Sequence, residues 1–438
     1  MTNLRTHKSL NSVPAHRRGV SSKASLPAMM CIVCLFCVAA VIAAPAQNVS
    51  FITLASFNGA DGLSPQSTLI QTADGNFYGT TRFGGNYSSN CEHGCGTVFK
   101  ITPAGTLTRL YSFCSQANCS DGAFPASGLV QARDGNLYGT TLDGGSSSCL
   151  DGCGTVYRIT PEGAFTTLHS FDVTDGDLPY AGLVQGADGN FYGTTSGSYA
   201  GGTVFKITPS GELTTLHYFE GSDGSEPVGS LVQATDGNFY GTTYVGGAYG
   251  ECLGLYGDST CGTVFKITPA GALTTMYSFC SQWGWGCPDG QQPWGGLVQA
   301  SDGNFYGTTQ YGGTNDGCGT IFKITPAGTL TTLYSFDGTD GCQLEAGLVQ
   351  ASDGNFYGTT FAGGHAYGTV FQITPAGALT TLYSFCSLPN CTDGAHLGAG
   401  LVQAANGFFY GTAESGGADD DGTVFRVGLP HTCATCRP

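Results

Sequence analysis

The three tryptophans of the chain, Trp283, Trp285 and Trp294, fall in one stretch, SQWGWGCPDGQQPWGG. Aromatic rings exposed on a rigid loop stack on sugar rings or capture apolar peptides. The same rings can instead pack over the loop itself, because large aromatics bury themselves where they can. Asp289 stands in the same stretch. Trp283, Trp285, Trp294 and Asp289 are therefore the expected ligand-binding set, with a glycan or a surface protein as the partner. Asp-Gly recurs at Asp61, Asp121, Asp175, Asp223, Asp340 and Asp393. Seven carboxylates circling a channel mouth would offer hard oxygen ligands to Ca²⁺, but Asp-Gly also makes a tight turn without any ion. The turn is the expected role, so no cofactor is required, and Ca²⁺ is the ion to consider.

Linear signatures of catalysis are absent: there is no H-E-x-x-H, G-x-S-x-G or phosphate loop. Glu92, Glu220, Glu226, Glu251, Glu345 and Glu414 break an otherwise regular pattern. They are the acid/base candidates, with solvated surface charge as the plainer role. His169 and His217 stand where the pattern has Tyr, which suits core variants, while His365 and His396 lie in loops without a repeated partner. A binding or structural role is expected ahead of catalysis. The alternative is a carbohydrate-active hydrolase or lyase that uses the loop carboxylates.

These residues are positioned by a repeat. DGNFYGT begins at Asp74, Asp188, Asp236, Asp302 and Asp353, with variants at Asp134 and Asn406, and the starts lie 48 to 66 residues apart. The full unit reads GLVQA, DGNFYGTT, a variable Gly-rich loop, GTVFKITPAG and LTTLYSF. Each apolar run is bounded by turn residues, so each unit predicts four strands, a to d. Adjacent aromatics in b and c, rather than strict alternation, predict sheets covered on both faces. The last unit lacks strand d, and Phe51–Phe57 is a strand d without its own a, b and c. Pairing the two ends closes a ring and removes the exposed strand edges. The fold class is therefore all-β: a seven-bladed β-propeller of four antiparallel strands per blade, closed by the N-terminal strand.

The alternation of DGNFYGTT with GTVFKITPAG and LTTLYSF resembles the bacterial tandem-repeat proteins called GloVer-containing, or choice-of-anchor tandem repeat, proteins. The resemblance covers Phe51 to Val427. It implies a secreted or surface-displayed repeat protein and brings no established activity with it.

Basic residues, the apolar run Leu26 to Ala43 and Ala44-Pro45-Ala46 form a secretory signal cut after Ala46. An uncleaved membrane anchor is the alternative. The expected organisation is a signal peptide over 1–46, the propeller over 47–428 and a short Cys-containing tail over 429–438. The mature chain is expected to be a monomer, secreted or at the cell surface, with no membrane contact after cleavage. The formal charge of −16 repels phosphate backbones and excludes nucleic acid as a partner.

Of 19 Cys, Cys31, Cys34 and Cys37 fall in the leader. The rest form proximate pairs suited to disulfides in an exported chain. In the b–c loops these are Cys91 with Cys95, Cys149 with Cys153, and Cys252 with Cys261. In the d–a loops they are Cys114 with Cys119, Cys280 with Cys287, and Cys386 with Cys391. Cys318 is expected to meet Cys342 across a c–d hairpin, and Cys433 pairs with Cys436 in the tail. Antiparallel alternation puts every b–c and d–a loop at one end of the ring. Cys91-Glu92-His93-Gly94-Cys95 also has the spacing of half a zinc site, with no second pair placed to complete it.

Overall fold

The computed structural model describes residues 49–87, 91–146, 148–149, 151–197, 201–248, 261–281, 287–315 and 317–429. The expected leader over 1–46, Trp283, Trp285, Cys252, Cys433 and Cys436 lie outside them. Each repeat folds as a four-stranded antiparallel sheet, and there are seven such sheets among the described residues. In the first, strands a (Ile70–Gln71), b (Phe77–Thr81), c (Thr97–Ile101) and d (Leu107–Ser112) lie side by side in chain order. The seventh takes a to c from Val402–Gln403, Phe409–Ala413 and Thr423–Gly428, and its d from the N-terminal Ser50–Ser56. There Phe51 opposes Val427 and Ile52 opposes Arg426. The ring is closed as the sequence predicts, and the chain is a seven-bladed β-propeller. Blades are numbered here by the order of their a strands.

Every residue of strand b is buried, on both faces of the sheet. This explains the adjacent Phe-Tyr: one ring serves each face. Tyr192 of blade 3 stacks on Phe239 of blade 4 with centroids 4.0 Å apart, and Phe77 of blade 1 stacks on Tyr410 of blade 7 at 4.1 Å. Burying each such ring is worth about 2–3 kcal/mol. Between blades 1 and 2 Leu137 stands in for the Phe and packs in one cluster with Tyr78. The Gly after each Tyr is required by close approach. A Cβ on Gly79 would lie 2.7 Å from Phe99 Cζ and 2.8 Å from Leu69 Cδ2.

The Asp-Gly-Asn turn joining a to b is tied by its own side chains. Asp74 accepts hydrogen bonds from the Asn76 backbone N–H at 3.0 Å, from Tyr78 Oη at 3.0 Å and from Lys100 Nζ at 3.0 Å. Burial pushes its carboxyl up, but the bonds from Thr72, Asn76 and Lys100 outweigh it and hold Asp74 below the usual carboxylate range. Gly75 takes φ +79°, which a side chain would strain.

Strand a pairs over two residues, not the five expected. The residues before it meet neighbouring blades instead of strand b. A Cβ on Gly128 would stand 2.8 Å from Thr68 O, and one on Gly347 2.6 Å from Gly296 O. Backbones this close around the axis leave room only for Gly, Ala, Ser and Thr.

Candidate functional site

The b–c and d–a loops share one face, and that face carries the disulfides. Cys91–Cys95, Cys114–Cys119, Cys149–Cys153, Cys280–Cys287, Cys318–Cys342 and Cys386–Cys391 are all bonded as expected. Cys261 is also disulfide-bonded, and its expected partner Cys252 lies outside the described residues. One expectation is corrected. A second pair does stand beside Cys91 and Cys95: the sulfurs of Cys114 and Cys119 lie within 4.8 Å of theirs. The two loops are sequence-distant but neighbour each other on this face, and the four sulfurs form two bridges.

At the centre of the face, one residue per blade points to the propeller axis: Gln66, Ala126, Tyr180, Val228, Trp294, Glu345 and Gly398. They rim a cavity of about 130 Å³ whose remaining wall is small residues from all seven blades. Strand b holds this rim in place. Thr80 Oγ1 donates to Ser127 O at 2.9 Å in the next blade, and Thr308 and Thr359 do the same to Ala346 O and Ala399 O at 2.8 Å. Two residues before each rim position the backbone is left-handed, with φ between 53° (Leu178) and 60° (His396) at non-glycine residues throughout. Such a conformation costs about 1–2 kcal/mol per residue, and the same kink recurs in every blade immediately before the rim.

A chain of hydrogen bonds runs along half of the rim. Tyr244 Oη donates to Gln310 Oε1 at 3.1 Å, and Gln310 Nε2 donates to Glu345 Oε1 at 2.9 Å. From the other side, Arg82 Nη1 donates to Gln66 Oε1 at 3.4 Å, and Gln66 Nε2 donates to Glu414 Oε2 at 3.0 Å. The two halves meet over Gly398. A Cβ there would run into Glu414 Oε1 and stand 3.5 Å from Glu345 Oε2. Each carboxylate thus has one oxygen fixed by an amide and the other turned to the same space. Burial, and then the charge of Glu345, push Glu414 up to about 7 against the opposing Gln66 bond and Arg82. Burial also raises Glu345, against its bond from Gln310. Trp294 faces two rings edge-on, Tyr180 at 5.4 Å and Tyr244 at 5.0 Å.

Seven near-identical four-stranded units of this kind match one family model, described as the Gloeobacter/Verrucomicrobia repeat, over residues 40–253 and 249–436. The chain belongs to the Gloeobacter/Verrucomicrobia repeat family. No curated protein matches it. Among solved structures, a fungal alcohol oxidase of the AA5 family in complex with copper is 12% identical, with a TM-score of 0.53 over 88% of this chain and 76% of its own. A Bacteroides uniformis protein described as a putative 6-phosphogluconolactonase is 14% identical, with a TM-score of 0.46 over 72% of this chain and 83% of its own. A PQQ-bound aldose sugar dehydrogenase from Streptomyces coelicolor is 13% identical, with a TM-score of 0.43 over 88% and 99%. The likeness to the oxidase is one of fold alone, and the other two carry no argument.

In this repeat-family propeller the expected site residues separate. Trp294 lies on the rim; Trp283 and Trp285 are outside the described residues. Asp289 is buried, and its Oδ2 accepts bonds from Tyr277 Oη at 2.7 Å and the Ser281 N–H at 3.0 Å. Three of its counterparts do the same, while Asp61 follows a strand with Ala55 at the Tyr position and accepts from the Asn58 N–H at 3.0 Å. Asp121 takes Tyr111, Asp340 takes Tyr334 and Asp393 takes Tyr383, all on strand d. These acids clamp the outermost strand, so they do not circle the channel mouth as a Ca²⁺ ring would. His169 and His217 replace the Tyr and keep the bond, to Asp175 at 2.8 Å and Asp223 at 2.7 Å. Of the acid/base candidates, Glu345 and Glu414 converge, Glu92, Glu220 and Glu226 are exposed, and Glu251 is outside the described residues. Sequence reasoning missed Gln66, Arg82, Tyr180, Tyr244 and Gln310. A signal was available: between the near-constant Asp-Gly and Leu-Val-Gln, the rim position runs Gln, Ala, Tyr, Val, Trp, Glu, Gly, and the two positions directly after Asp-Gly vary as freely.

Proposed function

We propose that this protein is an exported binding module that takes a carbohydrate at the axial mouth of its disulfide-bearing face. The observation that carries this reading is the rim itself. A scaffold repeated seven times over nearly constant residues departs from its pattern where the side chains meet at the axis. Those departures bring together an indole, a phenol, an amide and two carboxylates. An aromatic wall with a few convergent polar groups is the composition of a saccharide site. The free oxygens of Glu345 and Glu414 accept from adjacent sugar hydroxyls, and Tyr180 and Trp294 face the ring. The disulfide set supports an oxidising compartment outside the cytoplasm. No helix among the described residues is long and apolar enough to cross a membrane.

A second reading rests on the acid pair. Two carboxyls whose surroundings raise them unequally are the arrangement by which glycosidases divide acid and base roles. In that reading Glu414 is the acid and Glu345 the base or nucleophile of a carbohydrate-active hydrolase.

Calorimetric titration of soluble oligo- and polysaccharides into the mature protein tests both. Saturable binding of one glycan, weakened at least tenfold by Trp294→Ala, supports the module. Product formation that Glu414→Gln abolishes while binding persists supports the enzyme. A panel without binding or turnover overturns both.

A further inference from the structure

Glu414 turns to the axis, and the next residue, Ser415, turns away from it into a second cavity on the same face. This cavity measures about 600 Å³ and is lined by Tyr367, Asn390, His396, Ser415, Asp419 and Asp420, among others. It lies where the d–a loop entering blade 7 meets that blade's own b–c loop. Ala395 and Ser415 exchange both backbone hydrogen bonds, at 2.9 and 3.1 Å, and the Glu414 N–H donates to His396 O at 2.8 Å. The two segments are therefore locked in register. His396 Nδ1 stands 2.8 Å from Ser415 Oγ, whose alternative acceptor is Ala395 O at 3.3 Å. The imidazole is held between Phe361 and Tyr367, with ring centroids 4.9 and 5.6 Å away. Other junctions carry the same bridge with different residues in these two positions: Ser64 with Phe83, Phe124 with Asp143, Glu226 with Val245, Gln292 with Tyr311, and Gln343 with Ala362. The Ser–His pair is thus a departure from the repeat, as the rim is, and it opens on a cavity.

We propose that Ser415 and His396 form a nucleophile–base dyad that hydrolyses a small carboxylic ester. Ser415 Oγ attacks the ester carbonyl carbon while its proton passes to His396 Nδ1. The bond from that carbon to the alcohol oxygen breaks, and the departing oxygen takes the proton from His396. Water then attacks the acyl group on Ser415, giving up its proton to His396. The carbon–Oγ bond breaks, Oγ recovers the proton, and the free acid leaves. Burial lowers His396 against the opposing charge of Asp420, so the ring is neutral and able to accept a proton at neutral pH. The titratable groups facing it are Tyr367 from the b–c loop of blade 6 and Asp419 and Asp420 from that of blade 7. Asp420, with Oδ1 fixed by the Gly416 N–H at 2.7 Å, steadies the imidazolium as it forms. The Asn390 amide and the Tyr367 hydroxyl share the cavity wall and are donors of the kind that hold an oxyanion.

The test is labelling of the mature protein with a fluorophosphonate, read by intact mass and peptide mapping. One adduct on Ser415 is expected, absent in Ser415→Ala and at least tenfold slower in His396→Gln. The labelling rate should rise with pH through a single titration below 6.5. An adduct elsewhere, no adduct, or a rate unchanged in a His396→Gln protein that melts like the parent overturns the proposal. Should that variant not fold, a flat pH profile of the parent overturns it equally. Ser415→Cys adds a check by a different reagent: iodoacetamide alkylation at pH 6.5 should be at least tenfold faster than for free cysteine, and an equal rate counts against the dyad.

Discussion

Glu414→Gln should make the propeller more stable, and by an amount that depends on pH. Glu414 sits above its ordinary value of 4.5, at about 7, mainly because burial disfavours its charge and secondarily because Glu345 faces it. A group raised on folding binds its proton more tightly in the native state. Its contribution is fully present below the unfolded value and is lost as pH rises through the folded one. The loss from pH 4.5 to above 7 amounts to about 3 kcal/mol, at 1.36 kcal/mol per unit. Gln carries no charge to desolvate, keeps an acceptor for Gln66 Nε2 and gains an N–H aimed at Glu345 Oε2. Urea unfolding at pH 5, 6, 7 and 8 should therefore show parent and variant nearly equal at pH 5. They should diverge through pH 6–7 and differ by about 3 kcal/mol at pH 8. Glu345→Gln should lower the titration of Glu414 and shrink the divergence. The two carboxyls titrate as a pair, so the double variant completes the cycle. A difference constant from pH 5 to pH 8 would refute the acid pair, and with it the geometry drawn over Gly398.

Three further outcomes follow from the packing. Tyr157 is fully buried with no partner for its hydroxyl among the described residues, where other blades carry Phe such as Phe99 and Phe205; Tyr157→Phe should stabilise by about 1–2 kcal/mol in urea melts. Replacing Cys318 and Cys342 by Ser opens a bridge spanning 24 residues and should cost about 3.5 kcal/mol, against about 2 kcal/mol for Cys91 and Cys95, which span 4. Phe51 of the closing strand stacks on Tyr383 of blade 6 with centroids 3.9 Å apart; Phe51→Ala should lower stability by about 2–3 kcal/mol, and no change in the melt would count against closure.

The fold was legible because each blade repeats one solution. Asp-Gly-Asn marks a turn and Phe-Tyr-Gly marks a strand buried on both faces. The unmatched strand at Phe51 can complete only the blade that lacks one. The bridges were legible for the same reason: five of the described pairs lie a few residues apart in loops. The site was less so. Trp294, Glu345 and Glu414 stood out as breaks in the pattern, but their meeting depends on a rotation about the axis that spacing does not express. The seven Asp-Gly acids drew attention to the wrong radius. They follow strand d, and the backbone turns toward the axis only five residues later. Cys114 and Cys119 escaped notice as neighbours of Cys91 and Cys95 because loops at opposite ends of a c–d hairpin sequence fold onto one face.

Symmetry explains why the chemistry sits where it does. Within a blade, each residue of b, c and d answers to strand neighbours and to the adjoining blade, so a change there is charged against the core. At the rim, the Thr of strand b fixes the backbone from the neighbouring blade, and the side chain is free of that duty. Seven positions can then take any residue, from Gly to Trp, at little cost to the ring. A small residue at one of them makes space that larger neighbours fill. Gly398 does this for Glu345 and Glu414, which would otherwise be kept apart by a side chain between them. The void over Gly398 is in this sense as much a part of the site as the two carboxylates that look into it.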